Sequence, residues 1–173
     1  MAKKILTIAN KIIFPTSDGG SMAMKNLTLM LKKKEYSIDI ISISKNNNKN
    51  STKPSKLIID NQITQITFKK NMCFNLIKFI ASFFQQNAYQ ATRFYDIKIK
   101  EYIQKLIDKN QYEVILFESV FSTIYLKELK LNKKTIKIFR AHNLEHEIWA
   151  NLANNQLLKK SIFLLLSRQI KKT

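Results

Sequence analysis

The chain has 173 residues and a formal net charge of +18 at pH 7, from 30 Lys and Arg against 12 Asp and Glu. That length suits one domain, or one half of a larger enzyme, and an apolar fraction of 45% with only 2 Gly and 2 Pro excludes disordered and collagen-like chains. The excess charge is nearly all Lys, with arginine only at Arg93, Arg140 and Arg168; Lys, Asn and Ile share A/T-rich codons, so genome bias explains most of it without a nucleic-acid partner and leaves an attraction to anionic surfaces.

In chain order, Lys4–Ala9 (KILTIA) reads as a buried first strand. Residues 10 to 20 form a loop, with Pro15 inside it and the pair Gly19-Gly20 just before a helix. That helix is predicted over Ser21–Lys34, where Met22, Met24, Leu27, Leu29, Met30 and Leu31 fit one packed face. Ser37–Ser44 (SIDIISIS) is a second strand, and the polar tract Lys45–Lys56 is a surface loop. Two short strands, LIID and ITQITF, fall within Leu57–Lys69, and helices follow over Phe74–Phe84 and Thr92–Lys109. Next come a strand over Tyr112–Glu118, a helix over Val120–Leu131 and a strand over Thr135–Arg140. Helices over Leu144–Ala153 and Leu157–Lys171 complete the chain. Strands alternating with helices predict an α/β fold with a parallel sheet covered on both faces. There is no internal repeat. The last helix is still amphipathic at Arg168–Lys172 with no Gly, Asn or Pro to close it, which predicts a continuation.

Cys73 is the only cysteine, so no disulfide forms within the chain, as suits a reducing cytosol. The N-terminal run after Lys3 and Lys4 is too short for a signal sequence and is broken by Asn10 and Lys11. No segment approaches the ~20 apolar residues of a membrane span. NMCFNLIKFIASFF, with Lys69, Lys70 and Lys78 around it, fits an interfacial helix and equally a packed helix of the fold. Trp149, Phe74, Phe79, Phe83 and Phe84 fall at helical spacing and read as core or an interdomain face. Nucleic-acid platforms interleave exposed aromatics with Arg.

RAHNLEHEIW, Arg140 to Trp149, contains the zinc-peptidase pattern H-x-x-E-H. Three features count against zinc. His142 follows the predicted strand by one residue and so belongs to a loop, not to one helix with His146. The chain holds only 2 His. After Glu147 there is no His, Asp, Glu or Cys to act as third ligand. A metal centre is therefore not expected.

Ligands of open α/β sheets bind beyond the carboxyl ends of the strands. That edge collects Gly19-Gly20 after the first strand, Glu118 at the end of YEVILFE, and His142-Asn143 after TIKIFR. Paired glycines let backbone N–H groups approach a phosphate or a sugar. Glu118 and His142 can hydrogen-bond sugar hydroxyls. Asn143 can cap a helix whose first turn carries Glu145 and Glu147. Each has a plain alternative: Gly-Gly as a turn, Glu118 as a cap, a structural histidine, Glu145 and His146 at the surface. Their coincidence at one edge favours the functional reading.

Two runs resemble a known family. KILTIANKIIFPTSDGGSMAMKNLTLMLKKKEYSIDIISIS resembles the opening of the family 4 glycosyltransferases. YEVILFESVFSTIYLKELK followed by IKIFRAHNLEHEIWANLA resembles one bacterial branch of it. The resemblance spans nearly the whole chain and implies the N-terminal Rossmann-like domain of a GT-B fold, two such domains facing a cleft. It implies transfer of a sugar from a nucleotide-sugar donor to a glycan or lipid-linked acceptor, with retention, without cofactor or bound metal. It places Gly19 and Gly20 near the donor diphosphate or the acceptor. Glu118 and His142 become the catalytic candidates, with Asn143 and Glu145 as binding residues of the loop. Arg140 is set aside because its place in the strand turns it toward the sheet. The family's E-x7-E pair belongs to a C-terminal domain, and no two Glu here are so spaced. The chain is thus expected to be an acceptor-side fragment, inactive alone, cytoplasmic, with peripheral contact to anionic membrane. A basic nucleic-acid module and a small interaction domain or gene remnant are the competing readings. No helix-turn-helix, zinc-finger or RNP pattern supports the first of these.

Overall fold

The computed structural model describes residues 3–45, 54–72, 89–141 and 147. The helices expected over Phe74–Phe84, Leu144–Ala153 and Leu157–Lys171 lie outside these, apart from Glu147, as does residues 46–53 of the polar tract.

The described elements are β1 (Lys4–Ala9), α1 (Gly19–Lys33), β2 (Ser37–Lys45), β3 (Ser55–Ile58), β4 (Ile63–Lys70), α2 (Tyr89–Thr92), α3 (Ile97–Lys109), β5 (Val114–Glu118), a 3-10 turn (Ser122–Tyr125) and β6 (Ile136–Arg140). They build one six-stranded sheet in the order β3-β4-β2-β1-β5-β6. All neighbours run parallel except β3, which pairs antiparallel with β4. The sheet is therefore mixed and not purely parallel. Only residues 59–62 connect β3 to β4, with the bend at Asp60, and so short a connection joins antiparallel strands.

Apolar runs in β1, β2 and β5 reflect burial on both faces. On one face Ile5, Ala9, Ile38, Ile40, Ile63 and Leu116 pack with Met24 of α1. On the other, Leu6, Ile8, Ile41, Ile43, Ile115 and Phe117 pack with Ile99 and Ile103 of α3. Each such isoleucine or leucine contributes about 1.5–3 kcal/mol when taken from water. The expected coverage of both faces holds.

Three expectations about the elements need correction. Met22 and Met30 are exposed, at 46% and 65%, so α1 packs through Ser21, Met24 and Thr28 with Leu27, Leu29 and Leu31 beside them. The helix expected over Thr92–Lys109 is broken at residues 93–96. Asp96 is extended there and caps α3 by accepting from Lys98 N–H at 2.9 Å. Phe94 leaves the helical path to stack on Phe121, ring centroids 5.2 Å apart. Val120–Leu131 forms a single 3-10 turn and not a helix: Ser122 and Thr123 turn their hydroxyls onto the carbonyls of Ser119 and Val120, competing with the helical ladder.

Candidate functional site

Strand order reverses at β1: the chain moves to β2 and β4 on one side, then to β5 and β6 on the other. The crevice at the carboxyl ends of β1 and β5 is the topological switch point. Register aligns one transverse row there, Thr67–Ser42–Ala9–Glu118–Arg140. The row lies on the face that carries α1, and every member but Ala9 is polar.

Gly19 and Gly20 do not form a turn before the helix; they are its first two residues. Asp18 is the N-cap. It accepts from Ser21 N–H at 2.7 Å, while the Ser21 hydroxyl oxygen accepts from Asp18 N–H at 3.0 Å. This capping box was legible in the run S-D-G-G-S. The Ser21 N–H, and then Lys11 at 2.9 Å, hold the Asp18 carboxyl down at about 2.

Neither glycine has positive φ, so the backbone does not require glycine at either position. A Cβ on Gly19 would meet nothing within 4 Å. A Cβ on Gly20 would stand 3.1 Å from Lys11 Nζ and 3.3 Å from Asp18 Oδ1. The loop before α1 is anchored by buried Gln65. Its Oε1 accepts from Ile13 and Phe14 N–H at 3.1 and 2.9 Å, and its Nε2 donates to Phe14 O at 2.7 Å.

Glu118 ends β5 at this edge, but its side chain is only 1% exposed and accepts from Arg140 Nη1 at 3.0 Å. Arg140 Nη2 also donates to Ala23 O of α1 at 3.5 Å, so Arg140 ties β6 to both β5 and α1. This residue was undervalued from sequence; only the register of a sixth strand reveals its role. Ser119, next to Glu118, has φ 86. A left-handed non-glycine residue costs on the order of 1–3 kcal/mol and is a mark of functional edges. Bonds from Ser119 N–H to Arg140 O (3.0 Å) and from Ser122 Oγ to Ser119 O (2.8 Å) hold it.

The structure thus brings Gly19, Gly20 and Glu118 to one edge. His142, Asn143, Glu145 and His146 lie outside the described residues. Among the described residues no group of three or more His, Cys, Asp or Glu could hold a metal ion, and no helix is long and apolar enough to cross a membrane. A hollow of about 930 Å³ lies at the opposite, amino edge, lined by residues including Lys4, Asn110, Tyr112 and Thr135. Polar groups there satisfy one another: Lys4 Nζ donates to Asn110 Oδ1 at 2.9 Å and Tyr112 OH to Asp39 at 2.7 Å. Burial and Asp39 push the Tyr112 hydroxyl well above its ordinary value. Size alone does not make that hollow a site.

Among solved structures, the chain superposes on sucrose-phosphate synthase from Thermosynechococcus elongatus with a TM-score of 0.57 at 12% identity, covering 97% of this chain and 40% of that one. The fold is Rossmann-like, of the GT-B kind. Lower scores relate it to trehalose-6-phosphate from E. coli bound with UDP-2-fluoro glucose (TM-score 0.46, 15% identity, 96% and 38% covered) and to OtsA in its apo form (0.47, 15%, 96% and 39%). The chain spans about 40% of the length of the first of these. No family model matches the sequence, and no curated protein matches it.

Proposed function

We propose that this chain is the acceptor-side domain of a retaining glycosyltransferase, moving a sugar from a nucleotide-sugar donor to a glycan or lipid-linked acceptor. The observation that carries the reading is Gly19. The fold does not need glycine there, the space beside it is open, and it begins the helix that follows β1 at the carboxyl edge of the sheet, where helix N-termini favour anions. A missing Cβ at that point leaves room for a ligand to reach backbone N–H groups. His142, which follows β6 by one residue in sequence, is the catalytic candidate beside the transferred sugar, with Asn143 and Glu145 as binding residues of its loop. Glu118, buried against Arg140, serves by fixing the β5 and β6 ends that frame the crevice.

The reading makes the domain inactive alone, because the donor site needs a second Rossmann-like domain with E-x7-E. It is cytoplasmic, takes no nucleic acid, and meets anionic membrane peripherally through its lysine excess. Co-sedimentation with anionic and not with neutral liposomes is expected; equal recovery with both removes the membrane contact. The function is tested by assaying the chain alone, and joined to such a second domain, for nucleoside diphosphate release from a panel of nucleotide sugars. The product's anomeric configuration is read by NMR. Release only by the two-domain form, with retention, is expected. A well-folded two-domain form that neither transfers from nor hydrolyses any nucleotide sugar sinks the proposal.

A further inference from the structure

Asn10 directly follows the last residue of β1, where strand order reverses. Ala9 before it is held between Ser42 of β2 and Glu118 of β5. The Asn10 Oδ1 atom is buried and accepts no hydrogen bond. Buried side-chain oxygens in folded proteins nearly always have a partner, so each exception calls for a reason. Slack in the loop is not the reason. Gln65 fixes Ile13 and Phe14, the Asp18–Ser21 box fixes the far end, and the neighbouring Lys11 commits its ammonium to Asp18.

A second unpartnered oxygen, Ser42 Oγ, lies beside Ala9 on the adjacent strand. Ser42 is fully buried, whereas Asn10 is half-buried. A ligand in the crevice can therefore meet the Asn10 amide after a turn about χ2, a soft torsion in Asn, and cannot meet Ser42. We propose that Asn10 is a ligand-contacting residue whose side-chain oxygen accepts a hydrogen bond from a sugar hydroxyl. The choice of ligand atom follows from donor chemistry. A carbonyl-type oxygen needs a donor, and ionised phosphate oxygens only accept. The Asn10 oxygen therefore takes a hydroxyl-bearing ring at the end of β1, and a phosphate would be held by backbone donors such as the Gly19 and Gly20 N–H groups at the start of α1. This inference rests on the sugar-domain reading above.

The test is a titration of the 15N-labelled full chain with glucose, with glucose 6-phosphate and with inorganic phosphate, followed by 15N–1H NMR. The Asn10 side-chain amide is assigned by its loss in Asn10→Leu. Both sugars are expected to shift that amide; inorganic phosphate is not. Asn10→Leu is expected to bind the sugars roughly tenfold more weakly while its Tm equals or exceeds that of the unaltered chain, since an unmet acceptor has been removed. Asn10→Asp, which keeps an acceptor, retains binding. Sugar binding that Asn10→Leu leaves unchanged overturns the role of Asn10 alone. A chain in which no sugar shifts any resonance overturns the sugar-domain reading and this inference with it. A fall in Tm for Asn10→Leu together with unchanged residual binding assigns the residue to the fold and overturns the inference as well.

Discussion

The Glu118–Arg140 pair makes an asymmetric prediction. Arg140→Met and Glu118→Gln both break a 3.0 Å contact, yet the first is expected to cost more. Glu118 is 1% exposed and Arg140 32% exposed, so removing the guanidinium takes a counter-charge from a buried carboxylate. Such a loss costs ~3–5 kcal/mol when one partner of a buried pair is removed. Glu118 has a further polar contact, and water already screens the Arg140 end, so the lower figure, about 3 kcal/mol, applies. Glu118→Gln keeps an oxygen as acceptor and leaves the arginine charge to solvent, at a cost of about 1 kcal/mol. At about 2–4 °C per kcal/mol for a chain of this size, Arg140→Met lowers Tm by about 6–12 °C and Glu118→Gln by about 2–4 °C. Urea unfolding followed by circular dichroism measures both, with m held constant between variants. Glu118→Leu combined with Arg140→Met is expected to recover part of the Arg140→Met loss, because no charge stays buried. If Glu118→Gln costs as much as Arg140→Met, or the double variant loses the sum of the two, the burial argument is refuted.

Two further outcomes are expected. Gly19→Ala should raise unfolding stability by about 0.4–1 kcal/mol, since the site is helical and open and alanine narrows the unfolded ensemble. It should also weaken sugar or sugar-phosphate binding in the same NMR titration, and a destabilised Gly19→Ala would remove the claim that the fold does not need this glycine. Asp18→Ala should lose about 1 kcal/mol at pH 7 as an N-cap. Because the Asp18 carboxyl is lowered from 3.8 to about 2 in the fold, its contribution is complete above the unfolded value. It is lost as pH falls from about 4 towards about 2, so the gap between wild type and variant should close across that window. A gap constant down to pH 2 contradicts the assignment. Salt should trim only the part owed to the exposed Lys11 contact.

Long apolar runs carried most of the fold. KILTIA coincides with β1, and the strands expected near Ser37, Leu57, Tyr112 and Thr135 all appear within two residues of their observed starts. What failed depended on contacts distant in sequence. Nothing in Thr92–Lys109 announces that Phe94 will stack on Phe121, and apolar spacing cannot show that Met22 and Met30 face water. The sequence pattern placed Gly19, Gly20 and Glu118 at the carboxyl edge, where the structure also has them, because strand ends and the loop after β1 are local features. It did not single out Asn10, which has no motif and whose unmet oxygen only the folded chain reveals, nor the Glu118–Arg140 pair, which comes from register across two strands.

The carboxyl edge is where this fold departs from its own stability. Gly19 occupies a helical position that alanine would fill better. Asn10 buries an acceptor with no donor. Ser119 takes a left-handed φ that few side chains tolerate. Each departure has a cost, of order 1 kcal/mol or more for the last two. At the amino edge, Lys4, Asn110, Asp39 and Tyr112 form closed pairs, and the left-handed residue there, Glu35, directly follows the C-cap of α1, where that conformation commonly ends a helix. Local rules tend to fail where a ligand completes the structure. A ligand that offers a hydroxyl to Asn10 and accepts from the first N–H groups of α1 would relieve two of the three departures at once. A sugar phosphate carries both functions in one molecule. Glucose 6-phosphate should therefore bind more tightly than glucose and inorganic phosphate separately would suggest, and Asn10→Leu should reduce it to the level of phosphate alone. If glucose 6-phosphate binds no better than phosphate to the unaltered chain, the two features do not act on one ligand.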